Sequence, residues 1–266
     1  MRFLANRKRT RAAKPIVLAL ALVLVGGLYA VLTPSASQAD TDKTQQVAEG
    51  KALYDVTCSS CHGTGGEGTT LGPTLVGVGG AAVDFQMGTG RMPAARQEAQ
   101  IPKRTVIYSQ AQIDAVAAYV DTFGPGPQIP SPDQYAIEGL SPEAIARGGE
   151  LFRSNCSACH AITGGGGAMP NGKYAPSLKN TTPVHIYEAM RTGPGQMPSF
   201  PKTVMTDENA KEIIGYLRAA AEQPNYGGHG LGGIGPVSEG LWAWLIGIGG
   251  LVLVALWLAK KGARAR

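Results

Sequence analysis

The sequence predicts an all-α protein with two small helical domains in tandem, a C-terminal transmembrane helix and a hydrophobic N-terminal segment. Three observations carry that prediction. "TCSSCHGT" (57–64) and "NCSACHAI" (155–162) repeat one Cys-x-x-Cys-His unit, and the two copies use all 4 cysteines of the chain. The flanks of the two copies align in order, which marks a tandem duplication. Finally, "GLWAWLIGIGGLVLVALWLA" (240–259) runs without a charge for about the length that an α-helix needs to cross a hydrocarbon core.

The first segment, residues 1–39, joins a basic stretch, "MRFLANRKRTRAAK", to the apolar run "PIVLALALVLVGGLYAVL" (15–32) and then to "SASQAD". This describes a secretory signal with a small-residue cleavage site near Ala39, or an uncleaved anchor. Both readings put residues 40–239 on the outer face of the membrane. The formal net charge of +5 is concentrated at the ends: residues 1–14 hold six Lys/Arg, and residues 260–266 hold four, with no acid in either. The remainder carries 14 basic and 19 acidic residues, so the basicity orients the chain in a membrane and gives no case for nucleic acid.

Residues 40–123 and 141–222 are the two domains. "EGKALYDVTCSSCHG" (49–63) aligns with "RGGELFRSNCSACHA" (147–161), and "LGPTL" (71–75) with "YAPSL" (174–178). "MGTGRMPA" (87–94) aligns with "MRTGPGQMPS" (190–199), and "SQAQIDAVAAYVDTF" (109–123) with "TDENAKEIIGYLRAA" (206–220). The segments ending at Tyr54 and Phe152 read as helices, the second with Ser141 as N-cap and Pro142 in its first turn. Ser109 and Gln112 form a capping box ahead of Ile113, Val116, Ala117 and Val120 at helical spacing. Ala210, Ile213, Ile214 and Leu217 repeat that spacing in the second half. The middles are Gly/Pro-rich loops, and no convincing run of strands is present.

Between the halves, residues 124–140 begin with "GPGPQIPSPDQ" and read as an extended, semi-rigid linker. Residues 223–239 are a Gly-rich tether. Residues 240–259 form the transmembrane helix, with Trp242, Trp244 and Trp257 near its ends, and the basic tail 260–266 puts the C-terminus in the cytoplasm.

Each half is about 80 residues long and poor in large apolar side chains, so something else must fill its core. The Cys-x-x-Cys-His unit admits four readings. A redox disulfide leaves the histidine idle and lacks a βαβ context. A zinc site shared by all four cysteines joins pairs that lie far apart in separate repeats. An unrelated structural role leaves the duplication unexplained. Covalent haem attachment uses every residue: Cys58 and Cys61, and Cys156 and Cys159, bind the vinyl groups, and His62 and His160 reach the iron. Two haems c also supply the missing cores.

A sixth ligand is then needed, and Met92 in "TGRMP" and Met197 in "GPGQMP" are the candidates. Thioether sulfur favours reduced iron and raises the potential. Met87 and Met190 read as packing residues and reserve ligands. His185 in "TPVHIYEAM" reads as a helix-surface residue, His229 as a solvated residue of the tether, and neither is assigned a function.

Each half resembles a class I cytochrome c domain. That resemblance implies that the first and last helices cross at Gly50 with Tyr119 and at Gly148 with Tyr216. It also implies that the Pro73 and Pro176 carbonyls accept a hydrogen bond from Nδ1 of the ligand histidines. The whole chain is similar to the diheme cytochrome c subunit of the actinobacterial cytochrome bcc complex, a quinol:cytochrome c oxidoreductase. "FQMGTGRMPAARQEAQ" (85–100) and "RGGELFRSNCSACHAITGGGGAM" (147–169) carry most of this likeness. The family implies an electron-transfer subunit that makes no bonds in a substrate. Its implied partners are cytochrome b and Rieske iron–sulfur subunits, a cytochrome c oxidase and membrane lipid. Two alternatives stay open: a free-standing anchored cytochrome serving another dehydrogenase or reductase, and a diheme peroxidase, which the paired Met-Pro sites oppose.

Overall fold

The computed structural model describes residues 13–32, 36–98, 100–223 and 240–264. The Gly-rich tether at 224–239, with His229, lies outside the described residues. An apolar helix, α1 (Ala13–Leu32), is exposed over residues 14–29. It is followed by α2 (Ala36–Thr57), which contains the expected cleavage point at Ala39 and enters the first half.

The first half is built from α2, the short α3 (Ser59–His62), α4 (Gly80–Gly88) and α5 (Gln110–Val120). Its capping box is formed as expected: the Gln112 N–H donates to Ser109 Oγ, and the Gln112 side chain accepts from the Ser109 N–H. The second half repeats the plan with α6 (Pro142–Asn155), α7 (Ser157–His160), α8 (Pro183–Thr192) and α9 (Asp207–Glu222). Ser141 caps α6 by accepting from Ala144 N, and Thr206 with Asn209 caps α9. The apolar residues expected at helical spacing in α5 and α9 are all buried in their two cores, with Tyr54 and Phe152 beside them.

In each half the first helix crosses the last at a glycine. A Cβ on Gly50 would collide with the Ala115 carbonyl, and one on Gly148 with the Glu212 carbonyl. Ala115 and Glu212 occupy the same place in the two repeats, so the crossing is the same contact made twice. Tyr119 Cβ sits 3.1 Å from the Cβ position of Gly50, and the Tyr216 ring lies 3.0–3.1 Å from the Cβ position of Gly149, the neighbour of Gly148. Successive residues point about 100° apart around a helix, so one glycine meets the backbone and the next meets the ring.

Two further differences concern the connections. The second half is longer between its motif histidine and the following proline, sixteen residues apart against eleven. The extra chain forms a two-residue antiparallel pair, β1 (Gly167–Ala168) with β2 (Tyr174–Ala175), where no strand was expected. The linker is docked at both ends. The Ala81 N–H donates to the Pro127 carbonyl at 3.0 Å, and Gln134 donates to the Tyr187 hydroxyl and to Asp207 at 3.2 and 3.1 Å. The halves also touch directly, with α4 packed against α8.

The C-terminal stretch Gly240–Lys261 is helical, with a π-helical turn over Ala243–Ile248 that leads into α10 (Gly249–Arg264). Its mean hydropathy is 2.2 and none of it is buried. It is long and apolar enough to cross a membrane, and its exposure argues against a core helix.

Candidate haem-binding sites

In both halves the first long helix ends where the motif begins. A tight turn follows, so that α3 and α7 present the second cysteine and the histidine one after the other. Cys58 N donates to Tyr54 O at 2.8 Å and Cys156 N to Phe152 O at 2.8 Å, which carries the helical bonding into each motif. All four thiols are free. Cys58 and Cys156 pack on their half's core, and burial pushes both thiols up, Cys156 to about 11. Thiols so shifted stay protonated at neutral pH, unlike the low-pKa cysteines of redox-active disulfides. Among the described residues the four cysteines do not gather into a metal-binding cluster, which removes the shared zinc reading.

The histidines are oriented by main chain. His62 Nδ1 lies 2.7 Å from the Pro73 carbonyl oxygen, and His160 Nδ1 lies 3.0 Å from that of Pro176. A carbonyl can only accept, so Nδ1 carries the proton, and the lone pair of Nε2 is left for a metal. Such a bond fixes the ring and raises its ligand strength. Burial pushes the His160 pKa down, against the opposing pull of the Pro176 bond, and keeps the imidazole neutral.

The methionines follow the third helix of each half. Met92 and Met197 are half-buried and packed against the same cores as Cys58 and Cys156. Their loops leave α4 and α8 through glycines with positive φ, Gly90 at 68° and Gly193 at 63°. Met87 and Met190 are themselves core residues, 5% and 2% exposed. Each half thus sets one thiol and a thioether against the same apolar core, with the second thiol and an imidazole with a free Nε2 in the turn that follows, which fits a covalently held haem.

A family model described as "Cytochrome c" matches residues 47–123, and one described as "Cytochrome C oxidase, cbb3-type, subunit III" matches residues 143–217. The "Cytochrome bc1 complex cytochrome c subunit" of Mycobacterium tuberculosis (strain ATCC 25618 / H37Rv) is 45% identical over 96% of this chain and 93% of its own length. That of Corynebacterium diphtheriae (strain ATCC 700971 / NCTC 13129 / Biotype gravis) is 43% identical over 97% of both. The chain belongs to the family of cytochrome c subunits of the cytochrome bc1 complex. It consists of two cytochrome c domains, and its two motifs fit two covalently bound haems c. The "Cbb3-type cytochrome c oxidase subunit CcoP" of Azospirillum sp. (strain B510) is more distant, 26% identical over 71% of this chain.

Several polar residues escaped the sequence reading. His185 is not a surface residue: its side chain is 16% exposed and faces Asp84 across the contact between the domains. Asp84 and Glu188 are buried with it. The signal was present, since "AVDFQM" and "HIYEAM" each set one acid into an apolar helix beside a core methionine. Arg191 is also buried, and it donates to the carbonyls of Phe200 and Met205 at 2.9 and 2.6 Å and to Asp207 at 2.7 Å.

Proposed function

We propose that this chain is a membrane-anchored diheme cytochrome c that carries electrons from a Rieske iron–sulfur centre to a terminal cytochrome c oxidase. The observation that carries the reading is the doubled site: the same histidine-to-proline-carbonyl bond and the same core-packed methionine occur in both halves. Each half taken alone would suit many carriers. Two of them, fused and held in contact within a family whose members are named as subunits of a bc1 complex, suit relay between fixed partners.

In this reading Cys58 and Cys61 hold one haem and Cys156 and Cys159 the other. His62 with Met92, and His160 with Met197, would hold the two irons. The haems would supply one-electron redox chemistry at the positive potentials that thioether ligation favours. The work of the chain is to bind and orient: Pro73 and Pro176 fix the imidazoles, and the cores exclude water. The helix Gly240–Lys261 anchors the chain, and its Lys/Arg tail keeps the C-terminus cytoplasmic, with residues 40–239 outside. Cytochrome b and Rieske subunits, the oxidase and lipid are the expected neighbours.

The test is a reduced-minus-oxidised visible spectrum of material purified through this chain from its own membranes in mild detergent. Bands of b- and a-type haem beside the c-type band are expected. A c-type band alone at every detergent strength would overturn the relay and leave a free-standing cytochrome. In the same material Met92→Ala and Met197→Ala should each lower one midpoint potential and leave the haem attached. Two unchanged potentials would overturn the ligand assignment.

A further inference from the structure

The contact between the domains holds a chemistry that neither haem site uses. Helices α4 and α8 are the same element of the two repeats, and they meet face to face. Asp84 projects from α4, while His185 and Glu188 stand three residues apart on one face of α8. Asp84 and Glu188 are 4% and 0% exposed. One ligand atom from each of the three residues falls within 4.8 Å of the others, and His185 Nε2 lies 3.8 Å from Asp84 Oδ2. The neighbourhood is tight: a Cβ on Gly88 would stand 2.8 Å from His185 Nε2, and the Phe85 ring meets the imidazole edge-on at 6.1 Å.

Glu188 decides what the cluster is for. Both of its carboxylate oxygens are fully buried, and no group but the facing Asp84 carboxyl comes within hydrogen-bonding reach of either. The group beside it is the Asp84 carboxyl, itself an acceptor. Gln110 Nε2 donates to Asp84 Oδ1 at 2.6 Å, which satisfies one oxygen and leaves Oδ2 turned towards His185. An isolated buried carboxylate costs several kcal/mol and does not persist without a proton or a cation. The nearby cations do not serve: Arg91 lies over the Phe85 ring at 4.9 Å, and Lys103 acts on His185 only through space.

We propose that Asp84, His185 and Glu188 form a binding site for one divalent transition-metal ion of the zinc class, which clamps the two cytochrome domains together. One imidazole with two carboxylates is a donor set for zinc-like ions, whereas calcium and magnesium prefer oxygen alone. The ion's two charges offset the two carboxylates. Bonds of about 2.0–2.2 Å bring tetrahedral ligand atoms within about 3.3–3.6 Å of each other, against 3.8 Å for the His185–Asp84 pair and up to 4.8 Å across the cluster. The Gln110–Asp84 bond is the outer-shell contact that such sites use to aim a ligand.

The experiment uses the full chain with both haems, in detergent. The protein is stripped with a chelator, loaded with zinc and freed of excess, and zinc and iron are then counted by mass spectrometry. The expected result is one zinc per two irons, falling to background in Glu188→Gln and in Asp84→Asn, with haem spectra unchanged. Zinc should raise the melting temperature of the parent chain and leave that of both variants where it was. Zinc at background in the parent would overturn the site and assign the pocket to a shared proton. Zinc retained in full by both variants would also overturn it. Either result leaves the haem spectrum, and so the relay, untouched.

Discussion

The two cytochrome domains share a skeleton but secure their methionine loops by different means. In the first domain the loop after α4 is held largely by backbone: Gly90 fits under the Arg104 carbonyl, and Gln97 donates to the Thr70 carbonyl at 2.9 Å. Gln100 leaves the domain altogether and both donates to and accepts from the Tyr174 backbone. In the second domain the shorter loop is gathered by one buried arginine. Arg191 ties Phe200 and Met205 to Asp207, which also receives Tyr187, Lys202 and Gln134. The cores differ in the same sense. Tyr54, Tyr119 and Phe123 form a triangle of edge-on rings with centroids 4.9–5.4 Å apart, whereas the second core has one tilted pair, Phe152 with Tyr216. Because Phe152 lacks the Tyr54 hydroxyl that bonds Gly63 O, Tyr216 reaches Ile162 O in its place. A duplicated fold keeps what the cofactor needs and is free elsewhere to exchange apolar packing for charge.

The shared crossing should give the largest effects and equal ones. Gly50→Ala and Gly148→Ala each drive a methyl into a backbone carbonyl and should cost about 3 kcal/mol or more. Hydrogen exchange should report the loss in the affected half. A mild effect in one half alone would mean that the crossings are not equivalent.

Next comes the arginine network, where the domains should part company. Arg191→Met leaves two carbonyls without their donor, at about 1–3 kcal/mol for a buried group. With Met197 on the second iron as proposed, it should weaken the methionine-to-iron absorption band of that haem only. Acid should act on the same loop reversibly. Burial would raise the Asp207 pKa, but Lys202, Tyr187, Gln134 and Arg191 hold it well below the carboxylate range. Its stabilising effect is therefore complete above the unfolded value near 3.8 and is lost as pH falls through the lower folded value. The second domain should lose its band first on acidification, and Asp207→Asn should flatten that response. Simultaneous loss in both domains would sink this contrast.

The smallest effect concerns the residue after each motif histidine. Gly63 adopts φ 81°, ψ 160°, and Ala161, its counterpart, is held at φ 57°, ψ 164° in a region that is nearly closed to side chains. Such strain costs about 1–3 kcal/mol, partly offset by the greater freedom of glycine when unfolded. Ala161→Gly should stabilise the second domain by about 1 kcal/mol in thermal melts, and no gain would show the strain to be relieved elsewhere.

The motifs, the helices with their caps, and the core faces of α5 and α9 were legible because spacing and capping chemistry act within a few residues. The bond from His62 to Pro73 was available only through family likeness, since eleven residues of loop separate the pair. What escaped the sequence was what depends on a second surface. His185 lies on a face of α8 that would be solvated in a lone domain, and only the arrival of α4 buries it. The role of Arg191 had no sequence signal, because its partners come from a loop whose path no period encodes.

The docked linker sets a kinetic order. Pro127 is fastened to α4 through Ala81, and Gln134 to the second domain through Tyr187 and Asp207, so that little chain between them is free to wander. Even a loose short tether holds its ends at about millimolar effective concentration, and this one is fastened at both ends. The proposed electron transfer between the halves would accordingly be first order. Dilution, viscosity and salt, which throttle a dissolved carrier at each encounter, would find no encounter at that step to act upon.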